Sequence, residues 1–141
     1  MHIQFALLLG WVATLTVCGL AWARGAAAER WGAFIVLVGT VVYPLIQLFL
    51  PPASQSVVYL LCEGIYGFSF LMLALRYASP WLGGAMLLQA IQFSLHAYYI
   101  IGERPHDRTY GLVNNLNSGG VLICILLGIA VTWRRRARAA R

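Results

Sequence analysis

Apolar residues fill five windows of about 20 residues, at 3–23, 31–50, 56–76, 81–102 and 112–133. Wound as helix, a window of that length crosses the hydrocarbon of a bilayer. Short polar connections separate them, RGAAAER, PPASQ, YASP and ERPHDRTYG, and an arginine-rich tail follows. Pro51-Pro52 is expected to stop the second helix, and Pro80 to start the fourth, where a missing N–H costs nothing. Pro44 is expected to kink the second. The pattern predicts an all-α membrane protein, a five-transmembrane-helix bundle forming a single domain over 1–141.

Polar residues inside these windows are few and patterned. Gln89, Gln92, His96, Tyr99 and Glu103 follow one another at spacings of 3, 4, 3 and 4, which lines them along one helix face. A lipid-facing position would forfeit their hydrogen bonds, so the stripe is expected to face the interior. Glu63 lies deep inside the run VVYLLCEGIYGFSFLMLAL, with Tyr59 and Tyr66 on its face. At about 1.5 Å per residue, Glu63 and His96 fall at a similar depth, roughly 10 Å below one boundary. Tyr43 and Gln47 share that half of the second window, and Asn114 and Asn117 open the fifth. The opposite half of the bundle is nearly all apolar. Apolar walls with a few convergent polar groups describe a small-molecule site, and a polar seam that only joins helices is the plainer alternative.

Composition supports the membrane reading. Only 10% of the residues are charged, where a soluble domain carries about 25%. Net charge is +6, yet five of the ten arginines form the tail, which reads as a topology anchor or an anionic-lipid contact rather than a nucleic-acid surface. Placing the N-terminus outside and the C-terminus inside puts eight arginines on the inner side and two, Arg104 and Arg108, on the outer. Trp22, Trp31, Trp81 and Trp133 then all sit at the inner boundary. The first window has no basic n-region and is expected to remain as a span, not to be cleaved as a signal. A bacterial cytoplasmic membrane is the expected location, or the endoplasmic reticulum in a eukaryote.

Chemistry is bounded as follows. There is no lysine, which excludes a Schiff base. Cys18, Cys62 and Cys124 lie in apolar segments without metal spacing and read as packing residues. His2 and His106 are terminal or in a loop, so haem is not expected. Glu103, His106 and Asp107 are interleaved with Arg104 and Arg108 and read as a solvated loop; no cofactor and no metal are expected. A desolvated Glu63 is expected to favour its neutral form and so to serve as a proton donor, with His96 as base. Gly64 and Gly67 mark close helix approach. Gly120, Cys124 and Gly128, at i, i+4 and i+8, form a small-residue face that suits a homodimer.

Over about 31–133 the chain resembles the EXPERA-domain family, which contains the emopamil-binding sterol isomerase and the sigma-2 receptor. Cys62-Glu63 resembles the family segment with an intramembrane glutamate. QFSLHAYYIIGE, Gln92 to Glu103, is similar to the isomerase's Gln, Tyr and Glu spacing, and Asn117 matches a cavity asparagine. Tyr43 and Gln47 stand where the isomerase has histidine and glutamate, and His96 where it has aspartate. The resemblance implies an intramembrane pocket for a sterol-like or terpenoid ligand. Double-bond isomerisation would then run on Glu63 and His96 as the catalytic pair. Tyr43, Gln47, Tyr59, Tyr66, Gln92, Tyr99, Glu103, Asn114 and Asn117 are the expected ligand-binding residues. A noncatalytic scaffold subunit and a small transporter are the rival functions.

Overall fold

A computed structural model describes residues 2–105 and 107–141, without the side chains of 2–7 and of Ala53. The described residues form five α-helices: α1 (His2–Arg24), α2 (Ala27–Phe49), α3 (Pro52–Tyr77), α4 (Pro80–Ile101) and α5 (Arg108–Ala139). α2, α5 and the Ser54–Tyr77 part of α3 are long and apolar enough to cross a membrane. α1 contributes a shorter apolar stretch, Leu8–Arg24. α4 is not in that group, because Gln89, Gln92 and His96 lower its hydropathy.

Helix ends depart from the apolar windows for local reasons. α2 begins four residues before its window, because the Glu29 carboxylate reaches back to accept the Ala26 backbone N–H at 2.7 Å. α3 begins at Pro52, which occupies a first-turn position where no N–H is required, so the Pro-Pro pair separates α2 from α3 with no further loop. α3 ends on Ala78, which takes the left-handed conformation at φ 45°, and Pro80 opens α4 two residues later. Asp107 caps α5 by accepting the Tyr110 N–H at 2.8 Å, and the helix runs on through the arginines of the tail. α2 is continuous through Pro44.

Each helix packs on the next around the bundle, α5 closes on α1, and α2 meets α5 across the middle. The outer surface is apolar. On α3, Val57, Leu61, Ile65, Phe68, Met72 and Leu75 are all exposed, while Tyr59, Glu63, Phe70 and Leu73 are buried. On α4 the contrast is sharper: Leu87, Ile91 and Ile101 face out, and Gln89, Gln92, His96 and Tyr99 face in. Such a helix is amphipathic in the reverse of the water-soluble sense.

Glycines decide how closely the helices approach. The Tyr66 hydroxyl crosses from α3 to donate to the Ile35 carbonyl of α2 at 2.9 Å, and it passes over Gly39. A Cβ at Gly39 would lie 1.4 Å from that hydroxyl. Trp81 of α4 occupies a slot between Gly32 of α2 and Gly128 of α5, where added Cβ atoms would meet its ring at 2.7 and 2.6 Å. Its indole N–H donates to Glu29 at 3.0 Å, and Glu29 is only 2% exposed. Trp81 is therefore a core residue, unlike the exposed Trp22, Trp31 and Trp133. Gly67 has nothing near it, and Gly64 has only Phe93 at 3.7 Å, so neither mediates a tight approach. The Gly120, Cys124 and Gly128 face packs within the chain against Leu88, Gly84 and Trp81 of α4, which leaves it occupied.

Trp81→Phe keeps a ring in the slot and deletes its only donor. A buried carboxylate oxygen then loses its partner, which should cost about 1–3 kcal/mol. Thermal unfolding in detergent should show a lowered midpoint for Trp81→Phe, and an unchanged midpoint would mean that the bond contributes nothing.

Candidate functional site

The interior has two layers. Phe70, Leu82, Ala85, Val121, Ile125 and Ile129 fill the half nearer the arginine tail with apolar side chains. The other half holds Glu63, Gln89, Gln92, His96 and Asn117, all more than nine-tenths buried. The register explains this. α2 and α4 run towards that end and α3 and α5 run away from it, so late positions on one pair meet early positions on the other.

Glu63 receives two donors. The Tyr43 hydroxyl of α2 donates to one carboxyl oxygen and the Gln89 amide of α4 to the other. Gln92 bridges to α5 in both directions: its amide N–H donates to Asn114 Oδ1, and its Oε1 accepts from Asn117 at 2.9 Å. His96 Nδ1 lies 3.0 Å from the Gln92 carbonyl, which can only accept, so the proton sits on Nδ1 in the neutral ring. Nε2 then accepts the Tyr110 hydroxyl at 2.8 Å. Tyr99 donates to Asp107 at 2.6 Å, and its ring lies edge-on to Tyr110 at 5.1 Å. A string of polar groups thus leads from exposed Asp107 at the bundle end to buried His96.

Tyr59 stands between the Glu63 and His96 groups. Its ring centroid lies 5.3 Å from Tyr43 and 6.3 Å from His96. Its hydroxyl is buried and has no hydrogen-bond partner among the described residues. A buried phenol without a partner is costly, and few such groups are left in native proteins.

Seven of the expected residues come together here: Glu63, His96, Tyr43, Tyr59, Gln92, Asn114 and Asn117. Tyr66 touches the group through its ring, 6.4 Å from Tyr43, but spends its hydroxyl on α2. Tyr99 joins through Asp107. Two do not join. Gln47 is exposed, and only its backbone carbonyl is engaged, by Gln55. Glu103 lies past the end of α4, exposed, with φ 46°, because the chain has already left the helix there. Glu103 misses the site because α4 has already ended, and Gln47 because it faces outward beside buried Ile46 in the last turn of α2. His106 lies outside the described residues; Asp107 is committed to Tyr99 and the α5 cap.

Glu63 and His96 are not hydrogen-bonded to each other. All four of their polar side-chain atoms are already engaged by protein groups. Tyr110 and Gln89 were not among the expected binding residues. Tyr110 could have been found, since it stands four and seven residues before Asn114 and Asn117 on one face of α5. On the outer surface of α3 and α4 lies an apolar groove of about 410 Å³, lined by Leu60, Leu61, Gly64, Ile65, Phe68 and Phe93. No family model, no curated protein and no solved structure matches the chain.

At the bundle end, the hydrogen bond from Tyr99 and the backbone N–H of Tyr110 hold the Asp107 carboxyl below its ordinary value near 3.8. A carboxyl whose folded value is depressed stabilises the fold at neutral pH and loses that contribution as pH falls through the folded value. The thermal midpoint of the wild type should therefore fall below about pH 4 by more than that of Asp107→Asn. Parallel acid limbs for the two proteins would show that this carboxyl does not secure the end of α5.

Proposed function

We propose that the chain is an integral membrane protein of five spans whose buried polar layer receives the polar group of a hydrophobic small molecule. The unpartnered Tyr59 hydroxyl carries this reading. Tyr59 is more than nine-tenths buried, stands between the Glu63 and His96 groups, and has its ring against those of Tyr43 and His96. A ligand hydroxyl or carbonyl would complete it. The apolar groove on the outer surface lies on α3 and α4, the helices that carry Glu63, Gln89 and His96. In this reading the arginine-rich end faces the inside of a bacterial cytoplasmic membrane, as the arginine asymmetry favours.

The ligand class is sterol-like or terpenoid, on the strength of the EXPERA resemblance. Binding is favoured over isomerisation. An acid and base pair needs a free donor and a free acceptor facing one substrate. Here Tyr43, Gln89, Gln92 and Tyr110 hold those atoms, and the isomerase's second-span acid corresponds to exposed Gln47. A purely structural seam is the second reading, and the reciprocal bonding of Gln92 with Asn114 and Asn117 favours it. A transporter is disfavoured by the fully buried Phe70, Leu82 and Ile125, which fill the section between the two ends.

Tyr59→Phe separates the readings. Its hydroxyl bonds to no described protein group, so the substitution should raise the thermal midpoint of the lipid-free protein by removing a buried, unpartnered polar group. Affinity for a hydroxylated terpenoid or sterol probe should fall between about twofold and tenfold, the range of one hydrogen bond. Lipid mass spectrometry of the purified wild type should find such a molecule retained. Absence of any retained lipid, together with equal probe affinity in wild type and Tyr59→Phe, would leave the seam as the function of this layer.

A further inference from the structure

The opposite end of the bundle carries a second feature that the polar layer does not use. Where α1 turns into α2, against the tail of α5, lies a groove of about 560 Å³. Its walls include Trp22, Trp31 and Phe34, each about half exposed on the outer surface of the helices. Arg30 and Arg136 line it as well. The Arg136 guanidinium rests over the end of α1, at 3.4 and 3.5 Å from the carbonyls of Arg24 and Gly25. A guanidinium has five N–H donors, so most of its capacity remains for another acceptor.

Charge at this end is one-sided. The chain has four acidic residues. Glu63 is in the polar layer, and Glu103 and Asp107 are at the far end. Glu29 is the only one near the groove, and it is buried and spent on Ala26 and Trp81. Arg24 is stacked on Trp133 at 4.9 Å, which leaves Arg30 and Arg136 as the guanidinium groups of the groove. Two arginines without a counter-charge among the described residues call for an anion, and apolar aromatic walls call for hydrocarbon beneath it.

We infer that this groove is a binding site for an anionic phospholipid. The phosphate is held between Arg30 and Arg136, and the first part of an acyl chain lies along Trp22, Trp31 and Phe34. Charge complementarity selects an anionic headgroup over a zwitterionic one. The outward-facing aromatic walls select a lipid over a soluble phosphate, which would leave them uncovered. Arginine at a membrane surface attracts anionic lipid, and its fork geometry suits phosphate oxygens.

The test uses the full chain in a non-ionic detergent, with native mass spectrometry of retained lipid. Phosphatidylglycerol and phosphatidylcholine with the same acyl chains are added in parallel. One phosphatidylglycerol per chain should be retained saturably, with a preference of roughly tenfold or more over phosphatidylcholine. Arg30→Gln combined with Arg136→Gln should abolish the preference, whereas Arg138→Gln combined with Arg141→Gln, which removes equal charge outside the groove, should keep it. Equal retention of the two lipids overturns the site, and so does an equal loss in both double variants. Displacement by glycerol phosphate at matched concentration overturns the lipid assignment in favour of a soluble anion. The wild type gives an independent readout. Phosphatidylglycerol with brominated chains should quench tryptophan fluorescence, and Trp22→Phe with Trp31→Phe should remove most of that quenching. Undiminished quenching in that variant would place the lipid elsewhere.

Discussion

An apolar exterior leaves buried polar groups to find their partners within the chain, and all but the Tyr59 hydroxyl do so among the described residues. Surfaces made of Leu, Ile, Val and Phe offer no hydrogen bonds, so none can be recovered from outside. α4 shows the outcome most directly. Its exposed positions include Leu87, Ile91, Phe93 and Ile101, and its hidden positions include Gln89, Gln92, His96 and Tyr99. The neighbouring helices supply the matching groups: Tyr43 from α2, Glu63 from α3, and Asn114, Asn117 and Tyr110 from α5. Helix order, register and the placement of small residues all serve that pairing.

The bundle resolves the demand differently at its two ends. One end gathers many polar groups of moderate strength into a layer joined by side-chain bonds. The other end has a single carboxylate, Glu29, sealed by one backbone N–H and one indole. Between them lies close-packed hydrocarbon. Two glycines make the indole slot possible, and a third lets the Tyr66 hydroxyl cross to a backbone carbonyl. The same absence of side chain does different work in each place, admitting a ring in one and a polar crossing in the other.

Much of this was legible in the order of residues. The spacing on α4 identified its buried face, and counting from the helix ends placed Glu63 and His96 in the same layer. These inferences depend only on helical period and rise, which survive packing. The failures occur where tertiary context decides. Gln47 and Glu103 fit the period, but Gln47 faces outward in the last turn of α2 and Glu103 lies beyond the end of α4. Trp81 reads as a boundary tryptophan by its position in the chain, and only the glycines of two other helices turn it inward. Glu29 reads as a loop residue until Trp81 is in place. Whether Glu63 meets His96 directly could not follow from depth alone, since rotation about each helix axis sets the facing atoms. Tyr59, which intervenes, is distinguished by its missing partner, a property no linear pattern carries.

The Glu29–Trp81 bond has a consequence for biosynthesis. Its two members are 52 residues apart, so during translation the carboxylate emerges long before the indole. Tyr43 likewise precedes Glu63 by 20 residues. The first two helices are therefore made before Glu29 has its indole donor and Tyr43 its carboxyl partner. Later segments retire these debts in a set sequence, first Glu63, then Trp81, then Gln89, and finally the asparagines that answer Gln92. A nascent chain halted before its fourth helix lacks the indole that seals Glu29.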